Sequence, residues 1–171
     1  VLGGILHGFN QGESGERWVQ FNLIPVLYDA EHVQQWLVFC ENQHQACACA
    51  LKVDTGMNRL GLSADELDEL LCAIDADKLK FIRFKPVVLM SHLACANDSK
   101  SAFNGQQLVA FNIAAKKTVN YFPHIRLSLS NSSGIFLDSQ FHLDLCRPGI
   151  ALYGGNPVGS HAGVERNPMQ Q

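Results

Sequence analysis

Charged and polar side chains stand at the ends of several apolar segments that have strand character. In LKVDTGMNRLGL (residues 51–62), a buried-type run leads into two cations and a carboxylate around a glycine-containing turn. The polar residues at four such ends are Lys52, Asp54, His92, Asn131, Ser132 and Arg147. A single charged residue at a strand end is often only exposed to solvent, but four such strand ends in succession favour a functional site. In (β/α) barrels, active sites form where the carboxyl ends of the strands meet.

The segments that must position these residues alternate between strand and helix. Apolar runs predict six strands, at residues 2–8, 23–29, 46–54, 85–92, 125–130 and 142–154. Helical spacing of apolar residues predicts helices at 30–42, 63–75 and 101–121, and the second of these begins with a Ser63–Glu66 capping box. This alternation is typical of a parallel sheet covered by helices. No GxGxxG follows the first strand, which favours a (β/α) barrel over a dinucleotide-binding fold.

Composition narrows the class of protein. The chain has 171 residues, 47% of them hydrophobic, with 13 basic and 16 acidic residues and a net charge of −3. It has no basic run, and no apolar run approaches the ~20 residues of a membrane span, so neither nucleic acid nor a membrane is an expected partner. The six cysteines lack CxxC spacing, which predicts reduced core residues of a cytoplasmic protein and no metal site.

Four segments resemble a known family. They are LKVDTGMNRLG (51–61), LMSHLACAND (89–98), SLSNSSGI (128–135) and DLCRPGIALYGGNP (144–157). In order and spacing they are similar to successive characteristic segments of the alanine racemase family. The resemblance covers essentially the whole chain. DTGMNRLG and RPGIALYG are specific at their length, whereas SNS alone would carry no information.

The resemblance implies an isomerase that uses pyridoxal 5′-phosphate (PLP) to interconvert L- and D-alanine, which supplies D-alanine for bacterial peptidoglycan. It further implies a (β/α)8 TIM-type barrel followed by a C-terminal β domain, in a homodimer that shares its active site between subunits. Against that pattern, we expect the chain to be an incomplete barrel with about six of the eight parallel strands. We expect residues 1–155 to form the partial PLP-binding barrel and residues 156–171 to form a linker toward the C-terminal domain. A PLP barrel acting on serine or another amino acid, or a non-catalytic PLP-binding barrel, remains an alternative.

Arg147 resembles the arginine that hydrogen-bonds the pyridine nitrogen of PLP. A guanidinium is permanently protonated, so it leaves that nitrogen without a proton, and this restrains side reactions of the cofactor. The alternative is a surface arginine that pairs with Asp144.

Ser132 resembles the serine that binds the cofactor phosphate, and the N–H groups of Gly149 and Ile150 resemble the other phosphate donors. Glycine after Pro148 lets the main chain approach an oxyanion closely. The alternative is an N-cap serine followed by an ordinary Pro-Gly turn.

The remaining assignments also rest on the resemblance. Arg59 resembles the arginine near the phenolic oxygen of the cofactor and the substrate carboxylate. Lys52 resembles a lysine that is often carbamylated, and its carbamate would hold Arg59, although a simple pair of Lys52 with Asp54 is an alternative. His92 resembles the histidine behind the catalytic tyrosine, where it lowers the pKa of that phenol. Asn131 is expected to orient the site.

The two bases of the family's mechanism have no counterparts in this sequence. The family anchors PLP on a lysine after the first barrel strand, in a KANAYGHG-like segment, and the opposing tyrosine belongs to the C-terminal domain. The sequence begins inside an apolar run and ends in the polar stretch VERNPMQQ. We therefore expect an internal segment of a racemase that is inactive by itself.

Overall fold

The computed structural model describes Trp18 and residues 20–158, which form a parallel sheet with helices between successive strands. The strands are β1 (Val26–Leu27), β2 (Cys47–Lys52), β3 (Phe84–Met90) and β4 (Arg126–Ser128). The helices are α1 (Ala30–Glu41), α2 (Ala64–Ala76) and α3 (Ala102–Val119). The strands pair in the order β1-β2-β3-β4, and each pair is parallel, so each helix connects two neighbouring strands.

Side-chain caps fix where α1 and α2 begin. Before α1, the Asp29 carboxylate accepts a hydrogen bond from His32 N at 2.7 Å. Before α2, Ser63 Oγ accepts from Glu66 N at 3.1 Å, while Ser63 N donates to Glu66 Oε2 at 2.8 Å. The capping box predicted from the sequence is therefore confirmed.

The two faces of the sheet bury different clusters. One face packs against the helices through a row of fully buried leucines, Leu27, Leu51 and Leu89. The opposite face carries a smaller apolar cluster, Val26, Ala50, Val88 and Met90. Lys52 and Ser128 are register partners of Met90, so by the alternation of strand side chains they lie on this second face.

The α/β class and the parallel sheet are confirmed. The strands predicted at 23–29, 46–54, 85–92 and 125–130 are present, although their paired parts are shorter than predicted. The strand predicted at 2–8 and residues 159–171 of the predicted linker lie outside the described residues. The described strands form an open sheet of four, so closure into a barrel stays a prediction.

The strand predicted at 142–154 is wrong. This segment makes isolated backbone hydrogen bonds to the chain at and just beyond β4, among them one of 2.9 Å from Arg147 N to Ser130 O. Pro148 then lacks the N–H that a ladder would need. The chain continues as a 3-10 helix, Ile150–Tyr153.

Other sequence-based expectations concern composition. None of the described helices is long and apolar enough to cross a membrane. The described residues contain no cluster of three or more His, Cys, Asp or Glu side chains placed to hold a metal ion. All six cysteines are free thiols, but only three are buried as predicted, namely Cys40, Cys47 and Cys49.

Gly61 ends the turn after β2 in a conformation that other residues avoid. Its φ is +145°, and a Cβ built there would lie 2.5 Å from the backbone nitrogen of Asp54. We expect Gly61→Ala to lower the free energy of unfolding by about 3 kcal/mol, since the strain cannot relax without breaking the 2.8 Å hydrogen bond from Asp54 N to Leu62 O. Gly105→Ala is the control, because this exposed glycine of α3 has open space around its Cα and helical alanine is favoured by about 1 kcal/mol. Urea unfolding of both variants checks this, and equal stabilities would contradict it.

Candidate functional site

Three strand ends lie level at one edge of the sheet. Lys52, Met90 and Ser128 end β2, β3 and β4 and are register partners. Just beyond them, His92 follows β3 and Asn131 follows β4. The polar residues that the sequence placed at separate strand ends are therefore brought together at one edge.

Arg147 reaches this edge from the segment after β4, and two strand ends hold its guanidinium. Its Nη1 donates to Ser128 Oγ, and its Nη2 donates to the carbonyl oxygens of Ser91 and Leu129. Three of its five N–H groups thus have partners among the described residues, which leaves one on Nε and one on Nη1. Burial lowers the pKa of Arg147 to about 10, so it is still a cation at neutral pH. The predicted alternative partner, Asp144, instead accepts from a backbone N–H of β4 at 2.8 Å.

Lys52, Arg59 and Arg147 form a cation cluster at the edge. Burial, followed by the charges of Arg59 and Arg147, lowers the pKa of Lys52, and the opposing effect of Asp54 is the smallest of these. Asp54 Oδ1 accepts from two N–H groups of its own turn, at 2.8 and 3.2 Å, and so shapes that turn. Within the described residues no ion pair joins Asp54 to Lys52, so the structure does not support the simple pair.

His92 is held as a neutral imidazole with a defined tautomer. Asn131 Nδ2 lies 3.1 Å from His92 Nε2, and Asn131 Oδ1 accepts from Gly134 N at 2.9 Å, which fixes the orientation of the amide. The amide nitrogen can only donate, so Nε2 must accept and the ring proton is on Nδ1. Burial and then the charges of the cation cluster lower the pKa of His92 to about 4. Asn131 therefore orients this histidine.

A second group of donors surrounds Ser132. Gly149 N and Ala151 N donate to Ser132 Oγ at 2.7 and 3.2 Å. Ser132 is 4% exposed, and a Cβ added at Gly149 would lie 3.8 Å from its hydroxyl oxygen. The sequence named Gly149 and Ile150 as donors, whereas the structure brings Gly149 and Ala151 to Ser132 with the amide of Ile150 between them. Two amides that converge on one oxygen suit an oxyanion.

The edge carries an excess of positive charge. Arg59 and Arg147 are cations, unmodified Lys52 adds to their charge, His92 is neutral, and the carboxylate of Asp54 is occupied with its own turn. Positive charges in a partly buried site raise the local affinity for anions. The arrangement can therefore hold an anion at the amides of Gly149 and Ala151 and a hydrogen-bond acceptor at Arg147.

Several groups that shape the site are not predicted from the sequence. Ser91 and Ser128 supply acceptors to Arg147, and a buried glutamine of α3, Gln107, contacts the chain after β3. The alternation of leucine and serine over residues 127–130 was an available signal for Ser128, because it places the hydroxyl groups on one face of the strand. No comparable signal marked the glutamine.

The chain is similar to known proteins over most of its length. The sequence profile described as alanine racemase, N-terminal domain, matches residues 4–157. An alanine racemase of Rhodospirillum rubrum is 46% identical over 149 residues, which are 87% of this chain and 37% of that protein. An alanine racemase of Rickettsia bellii is 39% identical over 166 residues, which are 97% of this chain and 38% of that protein. The crystal structure of the Bartonella henselae enzyme with covalently bound pyridoxal phosphate superposes with a TM-score of 0.75 at 34% identity, covering 93% of this chain and 42% of that one. The chain thus spans about two fifths of the length of these relatives.

Proposed function

This chain belongs to the alanine racemase family, and on that premise we propose that it forms the cofactor-binding edge of a PLP-dependent alanine racemase. The observation that carries the proposal is the presence of two different donor groups at one sheet edge. Arg147 has N–H groups left over after its protein contacts, and the amides of Gly149 and Ala151 converge at Ser132. PLP carries a ring nitrogen that accepts hydrogen bonds and, at a separate ring position, a phosphate ester, so it offers one acceptor for each donor group.

The residues present fit the cofactor. Ser132 and the amides of Gly149, Ile150 and Ala151 would hold its phosphate, and Arg147 would donate to its pyridine nitrogen. When bound, PLP supplies an electron sink for the bonds at the α-carbon of an amino acid. Because its guanidinium keeps its own protons at neutral pH, Arg147 donates a hydrogen bond to that nitrogen without transferring a proton to it.

Lys52 is proposed to carry a carbamate. Burial and the neighbouring cations lower its pKa, which increases the share of unprotonated amine. The unprotonated amine nitrogen would form a bond to the carbon of CO2 while one C–O π bond breaks, and the nitrogen would lose one proton to water, which leaves an anionic carbamate. That anion would lie within the cation cluster and hold Arg59, whose proposed ligands are the phenolic oxygen of PLP and the carboxylate of alanine.

His92 is proposed to stand behind the catalytic tyrosine of the complete enzyme. With Nε2 occupied by Asn131, the ring proton is on Nδ1, where it could be donated to another group. A hydrogen bond from Nδ1 to a phenolate would stabilise the ionised tyrosine and lower its pKa, which suits a base.

The complete active site is proposed to need residues beyond these. The family's PLP-anchoring lysine and its opposing tyrosine have no counterparts in the sequence, so we propose that other parts of a homodimeric enzyme supply them. The proposed substrates are L- and D-alanine. The proposed role is the supply of D-alanine for peptidoglycan by an enzyme of the cytoplasm.

A chimeric racemase tests the proposal. In this chimera, residues 4–157 of the chain replace the corresponding segment of the Rhodospirillum rubrum relative. We expect the chimera to bind PLP and to interconvert L- and D-alanine, and we expect the 171-residue chain alone to form no D-alanine because it lacks both bases.

Chiral chromatography of the products checks this expectation. A folded chimera that binds PLP but racemises L-serine and not L-alanine would favour another amino-acid substrate. A folded chimera that binds no PLP would contradict the proposal, as would D-alanine formed by the isolated chain.

A further inference from the structure

Gln107 is a fully buried polar side chain in the first half of α3. Its Oε1 accepts from Ala94 N at 2.8 Å. Its Nε2 donates to His92 O at 2.9 Å and to Thr55 Oγ1 at 3.0 Å. One backbone donor and one backbone acceptor determine which end of the amide is oxygen, so its orientation is fixed.

The bonds of Gln107 replace those that a neighbouring strand would make to the chain after β3. β2 and β3 stay paired to their last residues, but the chain after β2 then turns back on itself, as the hydrogen bond from Asp54 N to Leu62 O records. The chain after β3 therefore loses its neighbour on that side. Gln107 bonds there to the C=O of His92 and the N–H of Ala94, the two groups that a peptide of an adjacent strand would bond.

The segment that Gln107 holds supplies two groups of the site. Ser91 O accepts from the guanidinium of Arg147, and His92 contributes its imidazole. The same carboxamide also bonds Thr55 in the turn after β2, and Thr55 Oγ1 lies 2.8 Å from Ser91 Oγ. All three bonds of the Gln107 side chain thus end on segments that carry the site.

We propose that Gln107 is a positioning residue of the racemase: it sets the separation between the turn after β2 and the chain after β3, and so places Arg147 and His92. This inference rests on the proposed function for its kinetic consequences. Thr118 provides the contrast, because it is equally buried on α3 but its hydroxyl donates within the same helix, to Ala114 O at 2.8 Å.

Gln107→Met in the chimeric racemase removes the three bonds and keeps a side chain of similar length. We expect kcat to fall about 10- to 100-fold, as misplacement of a site by about an ångström does. We expect KM to change by less than about threefold, because misplacement of the site should weaken stabilisation of the transition state more than binding of the substrate. The exposed neighbour variant Gln106→Met should behave as wild type, and Thr118→Val should lower Tm while kcat stays within about twofold.

Gln107→Glu adds a pH dependence that a purely structural role would not produce. A protonated carboxyl keeps the acceptor for Ala94 N and one donor for His92 O, whereas the ionised form has no donor. Burial raises the pKa of such a carboxyl. We expect this variant to be closest to wild type at low pH and to lose activity relative to wild type as the pH rises.

Hydrogen exchange in the cofactor-free chimera separates this inference from the proposed function. We expect amides in residues 91–95 to exchange at least about tenfold faster in Gln107→Met, and at the wild-type rate in Thr118→Val. If the wild-type chimera racemises nothing, the proposed function fails and the exchange data alone decide whether Gln107 holds the segment. Kinetics, pH profile and exchange equal to those of Gln106→Met would overturn the inference.

Discussion

Arg147→Glu in the chimeric racemase is expected to slow racemisation by about 10²- to 10³-fold, the usual cost of removing a positioned donor from an active site. The guanidinium now donates to Ser128 Oγ and to the carbonyl oxygens of Ser91 and Leu129. A carboxylate could replace none of these bonds, since it cannot donate and the hydroxyl proton of Ser128 already goes to a backbone carbonyl oxygen. A carboxylate beside the ring nitrogen would also raise the pKa of that nitrogen and let it hold a proton. We therefore expect a larger share of turnovers to end in pyruvate, by transamination, and a smaller share in D-alanine.

Both products are measured in the same reaction, so that a general loss of folded protein does not change their ratio. Arg147→Lys keeps the positive charge but loses the planar fork, and it should slow racemisation less and leave the ratio near wild type. Lys78→Glu is the control for charge reversal, since Lys78 is exposed before β3, away from the carboxyl ends of the strands. If Arg147→Glu matched Lys78→Glu in rate and product ratio, Arg147 would not face the ring, and the assignment of the phosphate donors would fall with it.

Much of the fold follows from short-range signals. The capping box of Ser63 and Glu66 defines the start of α2 by itself, and four apolar runs mark the positions of the four described strands. Strand ends are less predictable, because apolar residues continue beyond the paired part, as Leu23 and Ile24 do before β1. The strand prediction for residues 142–154 failed because it, too, relied on a run of apolar residues. Its apolar residues do not form a ladder: Ala151 is buried in the 3-10 helix, while Tyr153 is 91% exposed.

The site was predictable in its residue types and only partly in its contacts. The positions of Lys52, His92 and Arg147 at strand ends were visible because parallel strands end at a common edge. Gln107 was not visible, because a glutamine in a helical pattern is normally a surface residue. Its burial depends on the gap that opens where the chain after β2 turns away from β3, and this tertiary feature leaves no mark in the local sequence.

Ser132→Asp is expected to weaken PLP binding to the chimera by about 10³-fold without lowering its stability. Ser132 Oγ accepts from Gly149 N and Ala151 N, and a carboxylate is a stronger acceptor for the same two amides, so the local structure should persist. The new charge would lie where the phosphate is proposed to bind. Two like charges about 4 Å apart repel by about 4 kcal/mol at an effective dielectric constant of 20, which corresponds to about 10³ in a dissociation constant.

Two neighbouring substitutions separate charge from position. Ser132→Ala removes the hydroxyl without adding charge and should weaken PLP binding by about tenfold, the usual cost of one hydrogen bond to a charged group. Ser133→Asp adds the same charge one residue away, on a side chain that makes no capping hydrogen bond, and it should bind PLP nearly as wild type. Fluorescence titration of the cofactor-free chimera gives the dissociation constants, and Tm gives the stability. Equal PLP affinities for Ser132→Asp and Ser133→Asp would mean that the phosphate binds elsewhere, because only Ser132 receives the converging amides of Gly149 and Ala151.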